Sequence, residues 1–181
     1  QMGAPIADFI VASNANDILT RFVNDGDMSM RPVVPTSSPS MDIQVSSNFE
    51  RLLFEMNDRQ GARTAEQLVR FREVGRLDVA DDVREKWLGG LFRAARFVDD
   101  EVAAEIGRVY GATGMLIDPH TATATAAAHQ LAGSHPVVTM ATAHPAKFPD
   151  AVEAATGVRP QLPEHLADLF ERPELLHDLP N

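Results

Sequence analysis

The first apolar run, Phe9-Ile10-Val11-Ala12, is continuous rather than alternating, which is the pattern of a strand covered on both faces. The polar stretch Ser13-Asn14-Ala15-Asn16-Asp17 follows it directly. Ile18, Leu19, Phe22 and Val23 then recur at helical spacing as far as Gly26. These positions predict a strand, a polar turn and a helix, with Asn14 or Asn16 as the helix cap. Residues 27–46 carry Pro32, Pro35 and Pro39 among serines and a threonine and are expected to form a loop. Met41, Ile43 and Val45 alternate with polar neighbours, so the loop is expected to pack against the body. Helical spacing returns at Phe49, Leu52, Leu53 and Met56, and again at Leu68, Phe71 and Val74. Ser47 with Glu50, and Thr64 with Gln67, are the expected capping boxes of these two helices. Further helix is expected around Val83 and Trp87, ended by Gly89-Gly90, followed by a strand within 91–98.

The last third repeats the theme. Val102, Ile106 and Val109 share the face of a helix expected to end at Gly111. Met115-Leu116-Ile117 reads as a strand. Asp118-Pro119 supplies a cap and a preset first helical residue for an alanine-rich helix running to Gly133. Val137-Val138-Thr139-Met140 reads as another buried strand, running into the turn Ala141-Thr142-Ala143-His144-Pro145. Pro145 is expected to open a helix carrying Phe148, Val152 and Ala155 that stops at Gly157, and Pro163 a short one carrying Leu166, Leu169 and Phe170. At the other end, Gln1 to Pro5 reads as the close of a helix whose body lies upstream, with Gly3 after its last turn. Alternating strands and helices predict a three-layer α/β fold with a mainly parallel sheet and helices on both faces. In such folds ligands sit beyond the carboxyl ends of strands, and the turns 13–17, 118–121 and 141–145 hold those positions.

Composition narrows the chemistry. The 181 residues carry 16 Lys and Arg against 26 Asp and Glu, a net charge of −10, which disfavours nucleic acid and anionic membranes as partners. A small basic pocket for a phosphorylated metabolite remains compatible. With no cysteine there is no disulfide framework, thiolate metal site or catalytic thiol. No apolar run approaches the roughly 18 residues of a membrane helix, and a cytoplasmic setting is expected. His120, His129, His135, His144, His165 and His177 show no i, i+4 pair and read as surface or capping histidines, so no metal site is expected. There is no G-x-S-x-G, no dinucleotide fingerprint and no P-loop.

Four segments carry a resemblance that periodicity could not supply. Thr142-Ala143-His144-Pro145-Ala146-Lys147-Phe148 is very similar to the T-A-H-P-A-K-F segment of threonine synthases. Ser13-Asn14-Ala15-Asn16-Asp17 resembles their [ST]-N-x-N-D, Ser38-Pro39-Ser40-Met41-Asp42-Ile43 their S-P-S-M-D-I, and Asp118-Pro119-His120-Thr121-Ala122 their [DE]-P-H-x-A. The four stand in the family's order, and the tail around Pro173–Pro180 is similar too. The resemblance covers essentially residues 1–181 and is to the longer, yeast- and enterobacterial-like class.

The resemblance implies the later half of the large domain of a tryptophan-synthase-β-like, fold-type-II pyridoxal-phosphate enzyme, with a helical insertion at about 47–90. It implies an intact enzyme that converts O-phospho-L-homoserine and water to L-threonine and phosphate. It places Thr142 against the pyridine nitrogen of the cofactor and Asp118 at an acidic position near the ring. Asn14, Asn16, Asp17, Ser40, Asp42, His120 and His144 are the expected lining of the cleft, with local capping as the competing role for Asp118 and the histidines. Lys147 is expected to serve packing or charge pairing. The family's Schiff-base lysine belongs to an earlier segment; the two lysines here, Lys86 and Lys147, lack its flanking residues. The phosphate-holding loop is likewise expected upstream, so the chain alone is expected to be inactive. Another fold-type-II lyase or dehydratase, and a non-catalytic relative acting as a binding or regulatory module, are the alternatives.

Overall fold

The computed structural model describes residues 5–177. The helix end expected at Gly3 lies outside them, as do the last residues of the Pro173–Pro180 stretch. The elements run β1 (Phe9–Ser13), α1 (Ile18–Asp25), β2 (Met28–Ser29), α2 (Phe49–Met56), α3 (Gly61–Val74), β3 (Arg76–Leu77), α4 (Asp81–Leu88) and β4 (Phe92–Arg96). They continue with α5 (Asp99–Thr113), α6 (Pro119–Leu131) and α7 (Pro149–Thr156). No helix among the described residues is long and apolar enough to cross a membrane.

The continuous apolar run Phe9–Ala12 becomes strand β1, with helices on both sides, whereas its partner β4 reads Phe92-Arg93-Ala94-Ala95-Arg96. β1 and β4 pair in parallel, Phe9 opposite Phe92 and Ser13 opposite Arg96, so residues sharing a row share a face. On one side Val11 and Phe92 line a shared apolar cavity with Phe22 of α1 and Phe49 of α2. Ile10, Ala12 and Ala95 pack on the other side against Val102 and Ile106 of α5, Ala122 and Ala126 of α6, and Val152 of α7. The result is helix, sheet, helix. Around Phe22, whose ring meets Phe49 edge-on at 5.0 Å, the first cluster gathers Ile18, Met28, Leu53, Leu68 and Phe71. A small antiparallel pair, β2 with β3, closes that side.

Several helix boundaries and caps differ from the expected ones. The α5 helix runs through Gly111 and ends at Gly114, which takes a left-handed φ of 71° and donates its N–H to the Tyr110 carbonyl at 2.7 Å. An interior glycine costs about 1 kcal/mol, and residues 111–113 are exposed, so the added turn rests on its own backbone bonds and the Gly114 stop rather than on packing. Neither expected capping box forms. The α2 helix starts after Asn48 without a side-chain cap. Thr64 and Gln67 lie inside α3 and instead accept from Asn57 Nδ2, at 3.1 and 2.6 Å. At α1 the capping position is Asp17, again without a side-chain cap bond, because Asn14 and Asn16 are engaged elsewhere. The expected helix from Pro163 is two separate single 3-10 turns, Glu164–Leu166 and Leu169–Glu171, with Phe170 85% exposed.

Two expected strands do not form. Residues 115–117 and 137–140 are irregular, and Met115, Val138 and Met140 are 62%, 84% and 69% exposed. A strand exists only through a neighbour that takes up its backbone hydrogen bonds, and neither segment has one among the described residues. Only Ile117 of these positions is buried, in the second cluster.

Candidate functional site

At the carboxyl end of β1 the chain turns through Asn14 and Asn16, both buried. Asn14 Nδ2 lies within hydrogen-bond distance of Thr36 Oγ1 (2.8 Å), Ser38 Oγ (3.0 Å) and Asp42 Oδ1 (2.7 Å). Its Oδ1 accepts from the backbone N–H of Asn16 at 2.9 Å. Asn16 in turn donates to the Val34 carbonyl (2.8 Å) and Asp42 Oδ1 (3.0 Å) and accepts from the Val34 N–H (2.9 Å). Asp42 takes the Thr36 N–H and hydroxyl at 2.9 and 2.6 Å. Two asparagines thus pin a proline-rich loop from more than fifteen positions away in sequence, with the loop's own Asp42 as shared acceptor, satisfying polar groups that burial would otherwise penalise.

The pinned loop leads to the start of α6. Asp118 is fully buried, and its carboxylate accepts from four donors: the N–H groups of His120 (3.0 Å) and Thr121 (3.2 Å), the Thr121 hydroxyl, and His120 Nδ1 (2.8 Å). Here the expected N-cap followed by Pro119 is found. His120 Nε2 accepts the backbone N–H of Ser40 at 3.2 Å. Since Ser40 N–H can only donate, Nε2 is the unprotonated nitrogen and Nδ1–H faces Asp118, a tautomer assigned from the bonding pattern. The imidazole centroid lies 4.7 Å from that of Phe148. Thr121 Oγ1 also receives the backbone N–H of Thr142 at 3.4 Å.

Thr142 is exposed, and its hydroxyl makes no hydrogen bond within the described residues. It does not follow a strand, because 137–140 does not form one. Ser40 is exposed and meets His120 through its backbone. His144 Nδ1 accepts from the Ala146 N–H at 3.1 Å, capping the 3-10 turn Pro145–Lys147. Asp17 faces guanidinium groups: Arg21 at 2.9 Å, Arg96 at 3.7 Å and Arg31 at 3.9 Å. Thr36, Ser38 and Thr121 belong to the constellation but escaped the sequence reading. Ser38 and Thr121 lay inside quoted motifs, whereas Thr36 had no signal beyond its place in a polar loop.

Asp17 shares Arg21 with Asp27. The Ser29 hydroxyl at 2.6 Å, chiefly, then Arg21 and the Ser29 N–H, hold the Asp27 carboxyl at about 2 instead of 3.8, against a partial burial that opposes ionisation. A depressed folded value stabilises above the unfolded pKa and is lost as pH falls through the folded one. Acid titration of folding is therefore expected to show a component between pH 3.8 and about 2 that Asp27→Asn removes. An unchanged acid limb in that variant would assign the component to other carboxyls.

A parallel strand pair between helical layers, with polar turns gathered beyond its carboxyl end, is the arrangement of the later half of a fold-type-II, tryptophan-synthase-β-like domain. The structure superposes on the PLP-bound threonine synthase of Brucella melitensis with a TM-score of 0.88 at 47% identity, over 96% of this chain and 37% of that one. On yeast threonine synthase the TM-score is 0.81 at 31% identity, over 94% and 38%. In sequence, threonine synthase of Pseudomonas aeruginosa is 47% identical over 185 residues, covering 99% of this chain, and the threonine synthase C-terminal family profile matches residues 121–181. Within that fold class the chain belongs to the threonine synthase family, whose C-terminal portion it matches. It spans 39% of the length of the Pseudomonas relative.

Proposed function

We propose that the chain forms one wall of the cofactor site in an enzyme that converts O-phospho-L-homoserine and water to L-threonine and phosphate in the cytoplasm. One observation carries this reading: the four family motifs, scattered between residues 13 and 148, touch one another in a single series. Asn14 meets Ser38 and Asp42, Ser40 meets His120, and Thr121 and His120 meet Thr142 and Phe148. Segments that serve unrelated structural needs have no reason to converge in this way.

The donor set fits pyridoxal phosphate at its ring end. Thr142 presents an exposed hydroxyl without a partner among the described residues, on a backbone anchored by Thr121. That hydroxyl donates to the pyridine nitrogen but is too weak an acid to protonate it, so it orients the ring and moderates its electron demand. The bound cofactor supplies an electron sink for charge built up on the substrate. Asp118 holds the first turn of α6, and with it Thr121, in place. Asn14, Asn16, Asp42 and Ser40 shape the neighbouring cleft wall, with Asp17, His120 and His144 bordering it, and α2–α4 form a helical insertion. Lys86 and Lys147 take no covalent part.

The test pairs two preparations. The 181 residues alone, mixed with pyridoxal phosphate and reduced with borohydride, leave Lys86 and Lys147 unlabelled by mass spectrometry. The full-length enzyme releases threonine and phosphate in equal amounts from O-phospho-L-homoserine. Stoichiometric label on Lys147, or a full-length protein that spares this substrate, sinks the reading.

A further inference from the structure

His120 is the side chain on which three of the four motifs meet. Its own motif supplies Asp118 to Nδ1 at 2.8 Å, the Ser38–Ile43 motif supplies the Ser40 N–H to Nε2 at 3.2 Å, and the Thr142–Phe148 motif supplies an aromatic ring at 4.7 Å. The ring is 8% exposed as a residue and uses both nitrogens internally, so it has no lone pair or proton to offer a ligand. From this geometry we infer that His120 is a positioning residue: in its Nδ1–H form it clamps the Ser38–Met41 turn to the start of α6, and so sets the distance between the cleft loop and the Thr142 segment.

The chemistry explains why this position calls for an imidazole. The clamp needs a donor toward a buried carboxylate and, about two ångströms further along the same rigid ring, an acceptor toward a backbone N–H. The Asp118 carboxylate stabilises the tautomer that leaves Nε2 bare, in the manner of carboxylates that orient functional histidines. Ser40 N–H is the first backbone donor of the turn after Pro39, and Pro39 has no N–H of its own. Without the acceptor the turn is tied to the body only through its flanks, by Asn14 at Ser38, by Asn14 and Asn16 at Asp42, and by Asp99 of α5 at Ser37. The inference rests on the proposed function only for its consequence on catalysis; the clamp itself is a statement about this chain.

Two amide variants separate the arms of the clamp, because asparagine places its polar atoms near Nδ1 and glutamine near Nε2. In the full-length holoenzyme, His120→Gln retains an acceptor for Ser40 and is expected to keep KM for O-phospho-L-homoserine within about threefold of wild type. His120→Asn keeps the Asp118 bond but loses Ser40, and is expected to raise KM roughly tenfold with a smaller change in kcat, one hydrogen bond of position being at stake. Independently of activity, nitrogen-15 NMR of labelled histidine is expected to report the Nδ1–H tautomer for His120, and amide exchange at Ser40 to quicken in His120→Asn only. The opposite tautomer, or equal Ser40 exchange in both variants, overturns the clamp. A clamp intact by NMR in an enzyme that ignores O-phospho-L-homoserine would instead overturn the proposed function.

Discussion

Replacing Thr142 by alanine in the full-length enzyme is expected to lower kcat/KM about ten- to a hundredfold, while Asn48→Ala stays near wild type. The contrast follows from what each side chain touches. Asn48 is exposed at the start of α2, and among the described residues its oxygen accepts only from Arg51. Thr142 holds its hydroxyl outward with its backbone tied to Thr121. On the proposed reading, removing the hydroxyl leaves the ring nitrogen of the bound cofactor without its donor. An unsatisfied group of that kind costs about 1–3 kcal/mol, and each 1.4 kcal/mol is tenfold in rate. Thr142→Ser restores the donor and is expected to recover most of the activity. Equal, near-wild-type activity of Thr142→Ala and Asn48→Ala removes Thr142 from the site.

The second large effect is on stability. Asp118→Ala is expected to destabilise the fold by about 3 kcal/mol, read as a shift of the urea midpoint at unchanged slope. Loss of an N-cap alone costs about 1 kcal/mol, and the buried donors orphaned at His120 and Thr121 add to it. Asp118→Asn keeps one acceptor oxygen and is expected to fall between the two. A midpoint within error of wild type for Asp118→Ala would mean that water replaces the carboxylate, and that the first turn of α6 is more open than its full burial indicates.

Much of the candidate site was legible because its signals are local. An aspartate before a proline at a helix start caps that helix wherever it occurs, and Asp118 does so. The Gly26 and Gly157 stops are of the same kind, each taking the left-handed backbone that side chains disfavour. The family motifs named Asn14, Asn16, Ser40, Asp42, His120 and Thr142 together, without saying how they lie in space. Their arrangement was not legible, since the bonds joining Asn14 to Asp42 and Ser40 to His120 span 28 and 80 residues. Asp17 illustrates the same limit: its place in a polar turn did not show that the fold would bring Arg31 and Arg96 to it beside Arg21.

Sequence by itself determined the α/β class, the helices with a clear apolar face, the polar turn after β1 and the cap of α6. Each depends on periodicity or on chemistry within a few residues. Tertiary structure decided the rest. It turned Thr64 and Gln67 into partners for Asn57, and left Met115–Ile117 and Val137–Met140 unpaired among the described residues although both read as strands. An apolar run records only a demand for burial, whereas a strand also needs a neighbouring backbone to bond. Whether that neighbour is present is a property of the assembled fold, and so is the meeting of three of the four motifs at His120.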